Sequence, residues 1–367
     1  MPYLKKIIIQ DFRNIELQEL EFSPNVNCIS GGNGEGKTNL LDAVWYLSMT
    51  KSAFSPSDQF NWRYGCKEFA ISGLYDMGEM QSKFNVKVGQ GDKKVIRDEK
   101  PYSRISDHIG VLPIVMVSPS DVSMVSESGE ERRKFVNSVL SQMDRSYLAE
   151  IQQYNRLLLQ RNKLLKDGIW DEDLLSTFDY RLSASASPIF EKRKAFVGEM
   201  TPIVKDYYAR ISGGKEEVGI EYRSDLQKGD LETILKEHRD KDKALRYTAA
   251  GVQRDDFLFT MNGHPIRRSG SQGQQKSFLV ALKFAQYEVM KKACGVAPVL
   301  LLDDLFDKLD MSRVSNLLEM VAGSDFGQIF ITDSNKVRIS GIVDAITSDR
   351  AYFETAGGVF RKIDEQD

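Results

Sequence analysis

Two hydrophobic rhythms alternate along this chain, and the places where one gives way to the other mark its parts. Leu4 to Ile9 is a mainly apolar run and Leu17 to Phe22 alternates in part, which predicts strands. Pro24-Asn25 predicts a turn, and Val26 to Ile29 a short buried strand running into glycines. From Lys37 to Met49 the spacing becomes helical, with Leu40, Leu41, Val44 and Leu47 near one face. Strand texture returns from about Phe69 to Val88, alternating at Phe84, Val86 and Val88, with a hairpin turn expected at Gly89-Gln90-Gly91-Asp92. Val111 to Val117 reads as a further apolar strand.

Beyond that strand the period lengthens. Ser128-Gly129-Glu130-Glu131 has the form of a capping box. Apolar residues then recur at helical spacing through Phe135, Val139, Met143, Tyr147, Ile151, Tyr154 and Leu158, with a break near Asp144. Helix-like sequence continues to about Arg210, and short strands reappear around Phe257 to Met261. The expected organisation is a head in two parts, 1–120 and 246–367, split by a mainly helical insertion at 121–245. No internal repeat or long heptad array is visible.

Composition narrows the class only modestly. With 367 residues, 41 % hydrophobic and 28 % charged, the chain has the balance of a globular protein large enough to build its own core. Cys28, Cys66 and Cys294 are scattered and form no pair motif, so a reducing, cytoplasmic setting is expected. No signal-peptide pattern opens the chain and no run approaches the ~18 apolar residues of a membrane span, so no membrane role is expected without a partner. A formal net charge of -3 argues against an all-over nucleic-acid coat but leaves room for a local basic face.

The candidate chemistry begins at Gly31-Gly32-Asn33-Gly34-Glu35-Gly36-Lys37-Thr38, which fits G-x-x-x-x-G-K-[ST] between an apolar strand and a helix. Such a loop turns backbone N–H groups toward phosphate oxygens, Lys37 would hold the β- and γ-phosphates, and Thr38 would ligate Mg²⁺. Alone it leaves a kinase, a GTPase, a motor and an ABC-type ATPase open. Val299 to Leu302 is an apolar strand ending in Asp303 and Asp304. There Asp303 would hold Mg²⁺ and Asp304 would orient or deprotonate a water. Glu is usual at the second position in ABC ATPases, so the shorter Asp304 suggests slow hydrolysis. Gly270-Ser271-Gln272-Gly273-Gln274-Gln275 before an apolar helix resembles the ABC signature, with Ser271, Gly273 and Gln274 in the matching places. Asp307-Lys308-Leu309-Asp310 resembles the ABC D-loop. Gln328 to Thr332 reads as the next strand, and Thr332-Asp333 stands where transporters carry a His. An early phosphate loop, a late signature and an acidic strand directly after it point to the ABC class.

At this resolution of motifs the chain resembles the RecF family over nearly its whole length. The resemblance is carried by Asp11-Phe12-Arg13-Asn14, the Gly31 to Ala43 stretch, Ser118 to Asp121 with Glu131 to Phe135, Tyr154-Asn155-Arg156, Gln160 to Lys166, Gly251 to Asp256 and Ser271 to Lys276. Val252-Gln253 departs from the family's Pro-His, Gln272 replaces an Arg, the Arg usual near Lys51 to Phe54 is missing, and Ser118 to Asp121 lacks the ABC Q-loop Gln. The resemblance implies an α/β ABC-type P-loop ATPase head interrupted by a mainly helical arm, with Arg13 and Asn14 among the nucleotide contacts. It implies a weak Mg²⁺-dependent ATPase whose ATP-driven homodimer clamps double-stranded DNA near single-strand junctions. Gap repair, replication-fork maintenance and RecA loading with RecR and RecO as partners are implied in the same way.

Between Ile151 and Lys166 the only charged residues are Arg156, Arg161, Lys163 and Lys166, four cations without an acid that are candidates for phosphate contacts. Lys192-Arg193-Lys194 and Lys93, Lys94 and Arg97 are lesser candidates. Another SMC-like DNA-binding ABC ATPase is the alternative, although a full SMC protein needs a far longer heptad array. A transporter subunit would normally bring the Q-loop and the switch His, and a GTPase an Asn-Lys-x-Asp motif. A nuclease-linked ATPase would need a further catalytic domain, which is not expected after Phe360. His108, His238 and His264 form no metal-ligand spacing.

Overall fold

The computed structural model describes residues 2–127, 129–304, 326–335, 340, 341, 343, 344 and 347–363. In chain order the elements are β1 (Tyr3–Phe12), β2 (Ile15–Glu21), β3 (Val26–Ser30), α1 (Lys37–Met49), β4 (Phe69–Asp76), β5 (Gln81–Gly89), β6 (Asp92–Arg97), β7 (Lys100–Pro101) and β8 (Ile114–Val117). Then come α2 (Ser123–Ser126), α3 (Gly129–Met143), α4 (Arg145–Asp167), α5 (Glu172–Ser212), β9 (Val218–Arg223), α6 (Leu231–Glu237), α7 (Arg239–Leu245), β10 (Asp256–Met261), β11 (His264–Pro265), α8 (Ile266–Ser269) and α9 (Gln272–Cys294). The remaining strands are β12 (Val299–Leu302), β13 (Ile329–Asp333), β14 (Arg350–Ala356) and β15 (Val359–Ile363). The capping-box Ser128 and the D-loop stretch 307–310 lie outside the described residues.

The chain divides into two compact units, 1–121 with 286–367, and 122–285. The first carries two six-stranded sheets, in the orders β2-β1-β4-β5-β6-β7 and β15-β14-β3-β13-β12-β8. The former is antiparallel. Its strands alternate, as β5 does with Ser82, Phe84, Val86 and Val88 buried, because one face meets the core and the other meets water. In the second sheet β14, β3, β13, β12 and β8 run parallel. Their residues are buried without alternation in β3, β8, β12 and β13, the pattern of a parallel sheet covered on both faces. Leu40, Leu41, Val44 and Leu47 of α1 join Ile7, Ile9, Ile71, Val86, Ile114, Leu301 and Phe330 in one core.

The second unit is mainly helical, with α4 and α5 packed together, and carries a small antiparallel sheet ordered β11-β10-β9. The break expected near Asp144 is a helix junction. Asp144 caps α4, its carboxylate accepting from the Ser146 and Tyr147 amides. The hairpin expected after Gly89 is also present, with Gly89 opposite Asp92 and Gly91 at φ 75.

One expectation shifts. Residues 246–285 cluster with the helical stretch, placing the second boundary at 285, inside α9. The cause is β10, which pairs along its whole length with β9, a strand within the block read as helical. Strands β14 and β15 were not foreseen, because both alternate only briefly and are bounded by no strong turn signal other than Gly357-Gly358. Among the described residues no helix is long and apolar enough to cross a membrane.

Candidate nucleotide site

The phosphate-type loop joins the buried strand β3 to α1, and its geometry follows from its glycines. Gly36 sits at φ 108, a left-handed value that favours glycine, and a Cβ there would lie 2.9 Å from the Asn14 amide nitrogen. No side chain caps the N terminus of α1 and no acid stands in its first turn, so its leading amides remain open to an anion. Gly32, Asn33 and Gly34 form the exposed crest of the loop. Lys37 is buried and folds back, its Nζ donating to the carbonyls of Gly31 (2.9 Å) and Gly32 (3.1 Å).

Two further segments brace the loop. The turn between β14 and β15 supplies the Gly358 amide to the Glu35 carbonyl at 2.9 Å, and the end of β14 supplies the Thr355 hydroxyl to the same oxygen at 3.1 Å. The Gly357 amide donates to the Glu35 carboxylate. Asn14, from the β1–β2 turn, donates Nδ2 to the Glu35 carbonyl at 3.4 Å and accepts from Asn39 at 2.7 Å. The carboxylate in the loop is thus engaged by a distant backbone amide. No sequence signal except the glycine pair itself pointed to that turn.

At the carboxyl edge of the parallel sheet the loop meets the acidic strand. The Thr38 hydroxyl lies 3.0 Å from both oxygens of Asp303, a contact across 265 residues of sequence. Asp303 is buried, and its amide donates to Val117 at 2.8 Å. Burial raises its carboxyl above the ordinary value. Hydrogen bonds from Thr332 and Thr38 pull it down, Asp304 pushes it up, and Lys37 pulls it down. Asp304 follows with a left-handed backbone, φ 41, and its amide donates to the Thr332 hydroxyl at 3.0 Å. Thr332 in turn donates to Asp303 at 2.8 Å. Asp333, at the place of the transporter His, is buried and accepts from the Asn335 amide at 2.8 Å. A hydroxyl and a carboxylate are hard oxygen donors, and such a pair suits Mg²⁺ completed by phosphate and water.

Arg13 and Asn14 part company. Asn14 reaches the loop, but the Arg13 guanidinium is occupied elsewhere. It pairs with buried Asp42 at 2.7 Å and donates to Ser52 (2.9 Å), Ser55 (3.1 Å) and Asn39 (3.2 Å). Here Arg13 organises the loop after α1, because Asp42 offers it a buried counter-charge.

The signature residues belong to the second unit. Ser271 and Gln274 form a reciprocal helix cap. The Ser271 amide donates to Gln274 Oε1 at 2.7 Å, and the Gln274 amide to Ser271 Oγ at 3.3 Å. Gly273 lies half-buried beside them in the first turn of α9. Gln274 Nε2 also donates to Glu216 at 2.7 Å, a partner that the sequence reading did not include.

A family model described as an AAA domain matches residues 6–255. The curated "DNA replication and repair protein RecF" of Bacteroides fragilis is 42 % identical over 367 residues, covering 99 % of each chain. Its counterpart in Phocaeicola vulgatus is 43 % identical over 359 residues, covering 97 % of each. The chain belongs to the RecF family. A solved structure described as the recombination mediator protein RecF-ATP in the RecFOR pathway superposes with a TM-score of 0.88 at 28 % identity, over 99 % of this chain and 98 % of that one. An Smc head domain from Pyrococcus furiosus, at TM-score 0.58 and 16 % identity over 99 % and 96 % of the two chains, shares the fold. The architecture is therefore the RecF- and SMC-head-like ABC ATPase fold.

Within this RecF-family arm the basic residues sort sharply. Arg156, Lys163 and Lys166 are exposed along α4. Arg161, a phosphate-contact candidate by sequence, has no accessible surface. It pairs with Asp179 and Asp242, each at 2.7 Å, and donates to Thr248 at 2.8 Å. Arg193 is equally buried, paired with Asp255 at 2.5 Å and bonded to Tyr147, Asn137 and the Val252 carbonyl. Both are withdrawn from any surface because acids distant in sequence fold onto them. The Arg254-Asp255-Asp256 element is part of the same scaffold, since Asp256 takes a two-pronged pair from Arg132. Lys93, Lys94, Arg97 and Lys192 each have an acidic partner, respectively Asp58, Asp92, Asp98 and Asp144.

Proposed function

We propose that this chain is an ATP-dependent DNA-binding protein of recombinational gap repair and replication-fork maintenance, acting as a weak Mg²⁺-dependent ATPase. The observation that carries this reading is the meeting of Thr38 and Asp303 at 3.0 Å beside a loop that already curls around Lys37. The amides of Gly31 to Gly36 and the start of α1 would cradle the triphosphate, and Lys37 would neutralise its β- and γ-groups. Thr38 and Asp303 would hold Mg²⁺, which would supply charge neutralisation at the phosphates. Asp304 would orient the attacking water and take its proton as the new oxygen–phosphorus bond forms and ADP leaves.

Ser271, Gly273 and Gln274 would complete the site of a second copy, their helix start approaching its γ-phosphate. Dimer closure would clamp double-stranded DNA near a single-strand junction. Arg156, Lys163 and Lys166, exposed on α4, would meet its backbone, fixing position without reading sequence. RecR and RecO would be the partners in loading RecA, in the cytoplasm. This reading is supported by the RecF relatives and by the RecF structures described with ATP in the RecFOR pathway. The deciding experiment measures molecular size and retention of junction-bearing DNA with and without ATP and Mg²⁺. Doubling in size with DNA retained only when both are present is expected. A protein that ignores ATP, or stays single when saturated with it, overturns the proposal.

A further inference from the structure

We infer that Thr332 is the positioning residue of this site, holding the Asp303 carboxylate and the Asp304 backbone through one buried hydroxyl. The inference rests on the nucleotide-site reading above. Thr332 has no accessible surface and lies on β13, the strand between β3 and β12. Its Oγ1 is 2.8 Å from Asp303 Oδ1 and 3.0 Å from the Asp304 amide nitrogen. The chemistry leaves one arrangement of protons. An amide can only donate, so the hydroxyl accepts from Asp304; a carboxylate can only accept, so the hydroxyl gives its proton to Asp303.

Each half of that bridge has a consequence. Asp304 holds a left-handed backbone at φ 41, which a residue with a Cβ adopts at a cost unless something pins it. The bond from its amide to Thr332 is such a pin, and it sets the direction in which the Asp304 side chain leaves the strand. Asp303 is bonded by two hydroxyls, those of Thr38 and Thr332. With Mg²⁺ bound, Thr38 would give an oxygen lone pair to the cation while its proton could stay on Asp303, so it would serve both. Thr332 is enclosed and would have no metal to hold, so its hydroxyl serves only the acidic pair.

The test compares full-length Thr332→Val, which keeps the shape and loses the hydroxyl, with Thr332→Ser, which keeps the hydroxyl. Fluorescent ATP-analogue binding without Mg²⁺, the Mg²⁺ concentration for half-maximal turnover, kcat, KM and thermal melting are measured for each. For Thr332→Val, metal-free nucleotide binding stays as in the parent, the Mg²⁺ requirement rises and kcat falls roughly 10- to 100-fold, the scale expected when a reacting group is misplaced by about an ångström. Thr332→Ser restores both. Should Thr332→Val fail to fold, Thr332→Cys takes its place against Thr332→Ser. Parent-like kcat in the variant lacking the hydroxyl overturns the inference, as does a Ser variant as impaired as Val at the same melting temperature. If the parent protein itself binds no ATP, the nucleotide-site reading falls; if the parent turns over and Thr332→Val does so equally well, only the positioning role falls.

Discussion

Replacing Arg161 with Met separates a structural cation from a DNA-contacting one. Met matches much of the aliphatic stem but removes the charge and the donors. In the parent, Arg161 Nε meets Asp179 and Nη1 meets Asp242, both at 2.7 Å, with Thr248 at 2.8 Å. After the change Asp179 still has Arg239 at 2.5 Å, whereas the Asp242 carboxylate keeps, among the described residues, the Ala249 amide at 2.8 Å and no cation. A buried carboxylate stripped of its cation costs about 3–5 kcal/mol. For a unit of this size each kcal/mol moves the melting temperature about 2–4 °C, so the second unit should melt roughly 6–20 °C lower. The control Arg156→Met, on the exposed face of the same helix, should stay within about 0.5 kcal/mol of the parent. Adding Asp242→Asn to Arg161→Met should recover part of the loss, because it removes the orphaned charge. Thermal denaturation followed by circular dichroism measures all three. DNA affinity across a salt series, at temperatures where every variant is folded, completes the assay. Arg161→Met should leave the salt slope unchanged and Arg156→Met should make it shallower by about one counterion. A parent-like melting temperature for Arg161→Met together with a reduced salt slope would refute the assignment of Arg161 to the interior. Burial also raises Asp179 above the ordinary carboxylate value, against the pull of Arg161 and Arg239.

Other outcomes follow from the same geometry. Lys37→Ala should abolish binding of a fluorescent ATP analogue, since it removes the phosphate cation and the link between Gly31 and Gly32; undiminished binding would move the nucleotide elsewhere. Ser271→Arg should spare nucleotide binding yet prevent ATP-dependent doubling in size, and full dimerisation of that variant would exclude a shared site. Burial holds the His108 ring below its ordinary 6.5, opposed by its bond to Leu47 and reinforced by Arg97. The unfolded chain therefore takes up a proton first as pH falls through 6.5, and the stability from the neutral buried ring, complete above that value, is lost on the acid side until the folded ring itself titrates. His108→Phe should flatten that acid limb in a melting-temperature profile, and an unchanged slope would show that other groups govern it.

The parts of this protein legible in one dimension are those whose physics is local. The Gly31 to Thr38 loop, α1 with its Leu40-Leu41-Val44-Leu47 face, the helix break at Asp144 and the Gln90-Gly91 hairpin turn are each set by a few neighbouring residues, and each appears where the pattern predicts it. Charge behaved differently. A run of cations without a nearby acid looks exposed in sequence, yet Arg161 finds Asp242 from 81 residues away and Arg193 finds Asp255 from 62. The same non-locality hid β9 among helices, drew residues 246–285 into the second unit, and brought the Gly357-Gly358 turn onto Glu35 across 322 residues. Sequence alone determined which residues could carry phosphate chemistry, because a loop's backbone freedom and a strand's terminal acid are written in adjacent letters. Only the tertiary structure decided which hydroxyl aligns the acids and which cations reach solvent, because buried polar groups take whatever partner the folded chain delivers, at any separation.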